Sequence, residues 1–174
     1  MTFNLSPNLE LRKPLTLMNV TIEITNDCDS QWVPDQETCE NWIQTALDVL
    51  GENKQYNVSL CLVDEAGSKD LNSRYCGKQN ATNVLSFPAQ LPPVFSNQLE
   101  TTLLGDVVIC PAILYREADE LGKTLEAHWI HLLIHGFLHL LGYDHKTYGS
   151  AAIMEELEID ILEKLGFPNP YLIG

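Results

Sequence analysis

The segment LEAHWIHLLIHGFLHLLGYDH, residues 125–145, constrains the fold more than any other part of the chain. Between Glu126 and Gly142 its strongly polar side chains are four histidines and nothing else, so a helix here is apolar on nearly every side and belongs at the centre of a domain. At 100° per residue, His128, His131, His135 and His139 fall within an arc of about 80°. Imidazoles striped along a buried helix need hydrogen-bond partners or a metal. His135 and His139 are one turn apart and can face one ion from the same side. Gly142 lets the chain bend out of the helix, which can bring His145 back as a third ligand. Three protein ligands leave a fourth tetrahedral position open, as in a catalytic zinc site rather than a structural one. The expectation is one Zn2+ ion per chain held by His135, His139 and His145, although imidazoles also suit nickel, copper or iron.

The pattern is metalloprotease-like with one gap. Gly136 stands where a zinc protease places its glutamate base, and glycine cannot take a proton. An ion ligated by three neutral imidazoles keeps its full double charge, acidifies bound water and attracts anionic oxygens. That favours phosphodiester over peptide chemistry. His128 and His131 lack a third partner at ligand spacing and read as packed or hydrogen-bonded behind the ligands. Asp144 reads equally as a proton acceptor beside His145 and as a residue capping the turn. The sequence supplies no general base.

At 174 residues the chain is most simply one domain, 1–174, able to bury about two thirds of its unfolded surface. The start, MTFNLSPNLELRKPLTL (1–17), has no apolar signal-peptide core and reads as a polar N-terminal extension of a cytoplasmic protein. Five cysteines without a CxxC pair argue against a disulfide framework and against a cysteine zinc site; Cys61 and Cys110 read as buried thiols in strands. A net charge of −14 speaks against nucleic acid, whose backbone is gripped by cations. The charge is unevenly spread, however. Lys69, Arg74 and Lys78 lie close together, whereas Glu155, Glu156, Glu158, Asp160 and Glu163 crowd the C-terminus.

Periodicity predicts strands at 18–27, 57–65, 83–88 and 103–110, with 89–102 an excursion from the sheet edge. Helices are predicted over 36–51 behind Asp35, 65–75, 110–122 with Pro111 in its first turn, 125–141 capped by Thr124, and 150–166. The last is expected to bury Ile153, Leu157, Ile161 and Leu165. The order βαβαββααα indicates an α+β domain, a four-stranded mixed sheet packed by helices around the metal-binding one.

EAHWIHLLIHGFLHLLGYDH closely resembles the signature segment of the YbeY family, bacterial single-strand endoribonucleases and rRNA maturation factors. LGDVVIC (104–110), GKQNATNVLSFP (77–88) and the ending FPNPYL are similar to further segments of that family, in the same order, so the resemblance spans about residues 18–172. It implies zinc on His135, His139 and His145, a cytoplasmic location without membrane attachment, and maturation of ribosomal RNA, notably the 3′ end of the small-subunit RNA. It further implies ribosome quality control, with the small ribosomal subunit, one of its proteins and an assembly GTPase as partners.

One position departs from the family pattern. Cys76 stands where the family has an arginine linked to RNA handling, and a thiol cannot stabilise phosphate as guanidinium does. Arg74 can replace it only if the backbone is irregular there, since residues two apart on a helix point about 200° apart. Arg74 and Lys78 are therefore the candidate substrate contacts. A non-catalytic, zinc-containing ribosome-assembly factor is the alternative, because the missing arginine and the acidic charge both favour it.

Overall fold

The computed structural model describes residues 17–28, 32–96 and 98–172; the expected N-terminal extension lies outside the described residues except for Leu17. The elements are β1 (Val20–Asn26), α1 (Gln36–Leu50), β2 (Tyr56–Leu62), α2 (Glu65–Cys76), β3 (Val84–Pro88), α3 (Pro93–Ser96), β4 (Thr102–Ile109), α4 (Pro111–Glu120), α5 (Leu125–Leu140) and α6 (Tyr148–Lys164). This is the expected α+β order with one addition, the short α3 inside the excursion between β3 and β4. The strands pair in the order β1-β2-β4-β3, parallel except for β3, which runs antiparallel to β4 at the edge. The sheet is therefore mixed.

Local chemistry sets the boundaries. Asp35 and Asp64 accept hydrogen bonds from Thr38 N and Gly67 N at the starts of α1 and α2, and Thr124 does the same for Ala127 N on α5. The Asp64 cap ends the second strand at Leu62, short of the expected residue 65. Pro111 occupies the first turn of α4, where its missing N–H costs nothing.

The central helix is as buried as its composition demands. Ile130, Leu133, Ile134, Phe137 and Leu138 are fully excluded from solvent. Each such side chain contributes about 1.5–3 kcal/mol, an upper figure because unfolded chains are already partly collapsed. α5 packs on β3 and β4 and is flanked by α1, α4 and α6. Gly136 lies close against the strands: a Cβ there would lie 2.7 Å from Val107 Cγ1, and Ser86 Oγ donates to its carbonyl at 2.8 Å. The helix can sit this low on the sheet because position 136 has no side chain.

Two expectations need correction. α6 buries Met154, Glu158, Ile161 and Leu162, while Leu157 and Leu165 are half-buried and Ile153 is exposed. The true stripe runs one position beside the expected one, because it includes a carboxylate that hydropathy assigns to solvent. Cys61 is half-buried, on the sheet face away from α5, whereas Cys110 is fully buried.

Candidate metal centre

The end of α5 is built to turn. Gly142 adopts φ 100°, Gly142 N donates to His139 O at 3.0 Å, and Tyr143 N donates to Leu138 O at 3.1 Å. This paired closure satisfies the last carbonyls of the helix and points the chain back along it. Four residues later Thr147 and Ser150 cap each other reciprocally to begin α6. Asp144 Oδ1 accepts from Lys146 N at 3.1 Å and Ser150 Oγ at 2.9 Å. Those bonds, the Lys146 backbone first, hold its carboxyl below the usual range. Asp144 thus shapes the turn that carries His145.

The turn brings His145 over the helix. Its ring centroid lies 5.7 Å from that of His135 and 5.0 Å from that of His139. One ligand nitrogen from each of the three rings lies within 4.8 Å of the others, and among the described residues this is the one such group of potential ligands. His135 and His139 are half-buried and His145 is exposed, so the cluster opens to solvent on one side.

Hydrogen bonding at the far side of two rings decides what the near side can do. His135 Nδ1 lies 2.6 Å from Glu158 Oε1, and His139 Nδ1 lies 2.9 Å from the Tyr143 carbonyl oxygen. A carboxylate and a carbonyl can only accept, so each Nδ1 carries the proton. Burial, and next the neighbouring His135, lower the pKa of His139 and favour its neutral ring. The two Nε2 atoms face each other at 3.1 Å. With both rings neutral these are two bare lone pairs at repulsive distance, and one cation or one shared proton resolves them. Two nitrogens about 2.0–2.1 Å from a tetrahedral zinc stand roughly 3.3 Å apart, so the spacing fits.

Glu158 lies at the bottom of this arrangement, fully buried. Its Oε2 is 3.1 Å from His131 Nε2 and also accepts a hydrogen bond from the Tyr171 hydroxyl. Burial opposes its ionisation, but the bonds from His131, His135 and Tyr171 outweigh it and hold the carboxyl at about 2. His128, further up the helix, pairs with Glu117 at 2.8 Å, and Asn83 Nδ2 donates to the same carboxylate. His128 and His131 are thus hydrogen-bonded to carboxylates rather than turned toward the cluster. Sequence reasoning missed Glu158, Glu117 and Tyr171. Glu158 stood only as one acid of the C-terminal cluster and Tyr171 only as part of the family-like ending FPNPYL, neither with a role of its own.

The candidate substrate contacts belong to α2 and the loop after it. α2 is regular through Cys76, so the irregular backbone that would let Arg74 replace an arginine at position 76 is absent. Arg74 pairs with Asp70 at 3.0 Å. Such an exposed pair is worth only about 0.3–0.5 kcal/mol, so direction, not the ion pair, separates Arg74 from position 76. Lys78 is exposed, in a loop pinned to α2 where Ser68 Oγ donates to Thr82 O and Asn72 Nδ2 donates to Asn80 O, both at 2.7 Å.

Comparison with known proteins agrees with this architecture. A family model described as Endoribonuclease YbeY matches residues 23–166. The chain is 47% identical over 150 residues to the Endoribonuclease YbeY of Cellvibrio japonicus (strain Ueda107), covering 86% of this chain and 82% of that protein. The solution structure of TM1509 from Thermotoga maritima is similar with a TM-score of 0.51 at 23% identity, covering 84% of this chain and 92% of that one. At that identity the likeness concerns the fold alone.

Proposed function

The chain belongs to the endoribonuclease YbeY family, and from that premise we propose that it hydrolyses ribosomal RNA during maturation at a cation held by His135, His139 and His145. The observation that carries the assignment of the site is the pair of Nε2 atoms 3.1 Å apart, each on a ring whose Nδ1 proton is already committed. A divalent cation bound there supplies acidified water and a positive charge for a phosphate oxygen. Imidazole ligands in a tetrahedral set favour zinc.

The chain's own groups prepare the site. Glu158 and the Tyr143 carbonyl keep the Nδ1 protons in place, so both ligand rings present lone pairs inward. The Gly142 turn and the α6 cap deliver His145, whose exposed side opens the cluster to solvent. Position 136 faces Val107 and the sheet, leaving no space for a carboxylate base of the protease kind. Lys78, exposed in a pinned loop and without, among the described residues, a carboxylate partner such as Arg74 has in Asp70, is the candidate phosphate contact we favour.

The finer assignments follow the family: single-stranded RNA at the 3′ end of the small-subunit rRNA, a role in ribosome quality control, and contacts with the small subunit, one of its proteins and an assembly GTPase. A cytoplasmic location is proposed on the same resemblance. Among the described residues no helix is long and apolar enough to cross a membrane.

The experiment is cleavage of a precursor RNA spanning the small-subunit 3′ end by the zinc-loaded protein and by His139→Ala. Cutting that depends on zinc and on His139 supports the reading, and equal cutting by both proteins overturns it. One observation favours a second reading, an assembly factor without turnover: Cys76 is exposed at the end of α2, and Arg74, two positions back on the same regular helix, projects about 200° away from it. Under that reading the zinc-loaded wild type binds precursor subunits but leaves the RNA intact, and Cys76→Arg introduces cleavage.

A further inference from the structure

Glu158 stands out because nothing about solvent explains it. It is a carboxylate with no exposed surface, on a helix whose other carboxylates face water or lie at its rim. A buried ion without partners is costly, so its three partners define its role. They are His135 Nδ1, His131 Nε2 and the Tyr171 hydroxyl. Two come from α5; the third comes from the C-terminal segment beyond α6.

That segment is tied down from several directions. Phe167 meets Trp42 edge-on at 6.4 Å, and Lys123 Nζ donates to Pro170 O at 2.6 Å. The Tyr171 ring stands edge-on to His131 at 5.4 Å. Burial, and next the carboxylate, push the phenol pKa upward, so Tyr171 remains a donor. Its hydroxyl and His131 occupy Oε2, leaving Oε1 directed at His135.

We propose that Glu158 and Tyr171 form a positioning couple, in which the C-terminal tail sets the orientation and basicity of the His135 ring for a divalent cation. This rests on the reading of His135, His139 and His145 as its ligands. The ring could otherwise rotate or take its proton on Nε2, either of which removes the lone pair. Carboxylates behind ligating histidines raise ligand basicity, and their loss weakens metal binding about 10- to 100-fold. The tail is thereby coupled to the metal centre through Glu158.

The test is zinc affinity by chelator competition, with the visible spectrum of the cobalt-substituted protein reporting geometry. It compares wild type, Glu158→Gln, Tyr171→Phe and, as a packing control on α6, Ile161→Val. Glutamine keeps the shape and one acceptor but not the charge; phenylalanine removes one oxygen and keeps the ring. Glu158→Gln is expected to bind zinc about 10- to 100-fold more weakly, with Tyr171→Phe at or below the lower end of that range. The rise in melting temperature on zinc addition should shrink in both. Ile161→Val should lower the metal-free melting temperature and keep the full rise. If Glu158→Gln and Tyr171→Phe match wild-type affinity and cobalt spectrum, the couple is refuted while the metal centre stands. If wild type takes up no cation, the centre itself is refuted and the couple falls with it.

Discussion

The two halves of α5 carry the same side chain in the same stripe and use it differently. At the N-terminal half, His128 and His131 are turned through Nε2 toward Glu117 and Glu158, and each leaves a buried Nδ1 with no hydrogen-bond partner among the described residues. At the C-terminal half, His135 and His139 commit Nδ1 to Glu158 and the Tyr143 carbonyl and direct Nε2 at one point in space. The first pair is consumed by structure. The second is held open, and a bend returns a third imidazole to it. Spacing alone does not distinguish a ligand from a core histidine on one helix; which nitrogen the surroundings take does.

Substitutions on the two halves should separate accordingly. The largest effect is expected for His139→Ala. Losing a partner behind a ligand costs about 10- to 100-fold in metal affinity, so losing a ligand should cost more than 100-fold, with RNA cleavage falling below detection. Metal analysis after dialysis, beside a gel assay, measures both. Gly136→Glu, which restores the protease pattern, should not create peptidase activity. It should destabilise the fold by about 1–3 kcal/mol, because its Cβ meets Val107 at 2.7 Å; chemical denaturation reads this directly.

His128→Gln sharpens the contrast from the other side. Zinc affinity should stay within about threefold of wild type, since position 128 lies two turns from the cluster. Its effect belongs in pH dependence. Burial lowers the pKa of His128, with Glu117 opposing. As pH falls through the ordinary histidine range near 6.5, the unfolded chain therefore takes up this proton before the folded one. The stability that His128 contributes is present above that range and is lost as pH drops through the lower folded value. Melts between pH 7.5 and 5.5 should show a shallower acid decline in His128→Gln than in wild type. The smallest effect is expected for Arg74→Ala: its exposed pair with Asp70 is worth about 0.3–0.5 kcal/mol, and cleavage should be nearly unchanged.

Much of this molecule can be read from its residues. A 16-residue apolar helix with histidines on one stripe leaves few alternatives, and the cap residues Asp35, Asp64 and Thr124 mark helix starts because they answer a local need. The three clustered histidines were legible for the same reason: two share a helical turn, and glycine marks the bend between them and the third. Glu158 was hidden. In sequence it is one acid among Glu155, Glu156, Asp160 and Glu163, and only the docking of α6 against α5 separates it from them. Tyr171 and Glu117 depend on tertiary contacts of 13 and 11 residues' separation, which no periodic pattern records. The misplaced apolar stripe of α6 has the same origin. Hydropathy places a carboxylate outside, so the face that contains one is passed over for its neighbour.

The most direct test of the central claim is to strip the protein of metal, return zinc stepwise and follow cleavage of a single-stranded rRNA substrate at each step. The account predicts no cleavage in the stripped protein and activity that rises linearly to a plateau at one zinc per chain. Full cleavage by the stripped protein, or a plateau reached with no zinc retained at His135, His139 and His145, would contradict it.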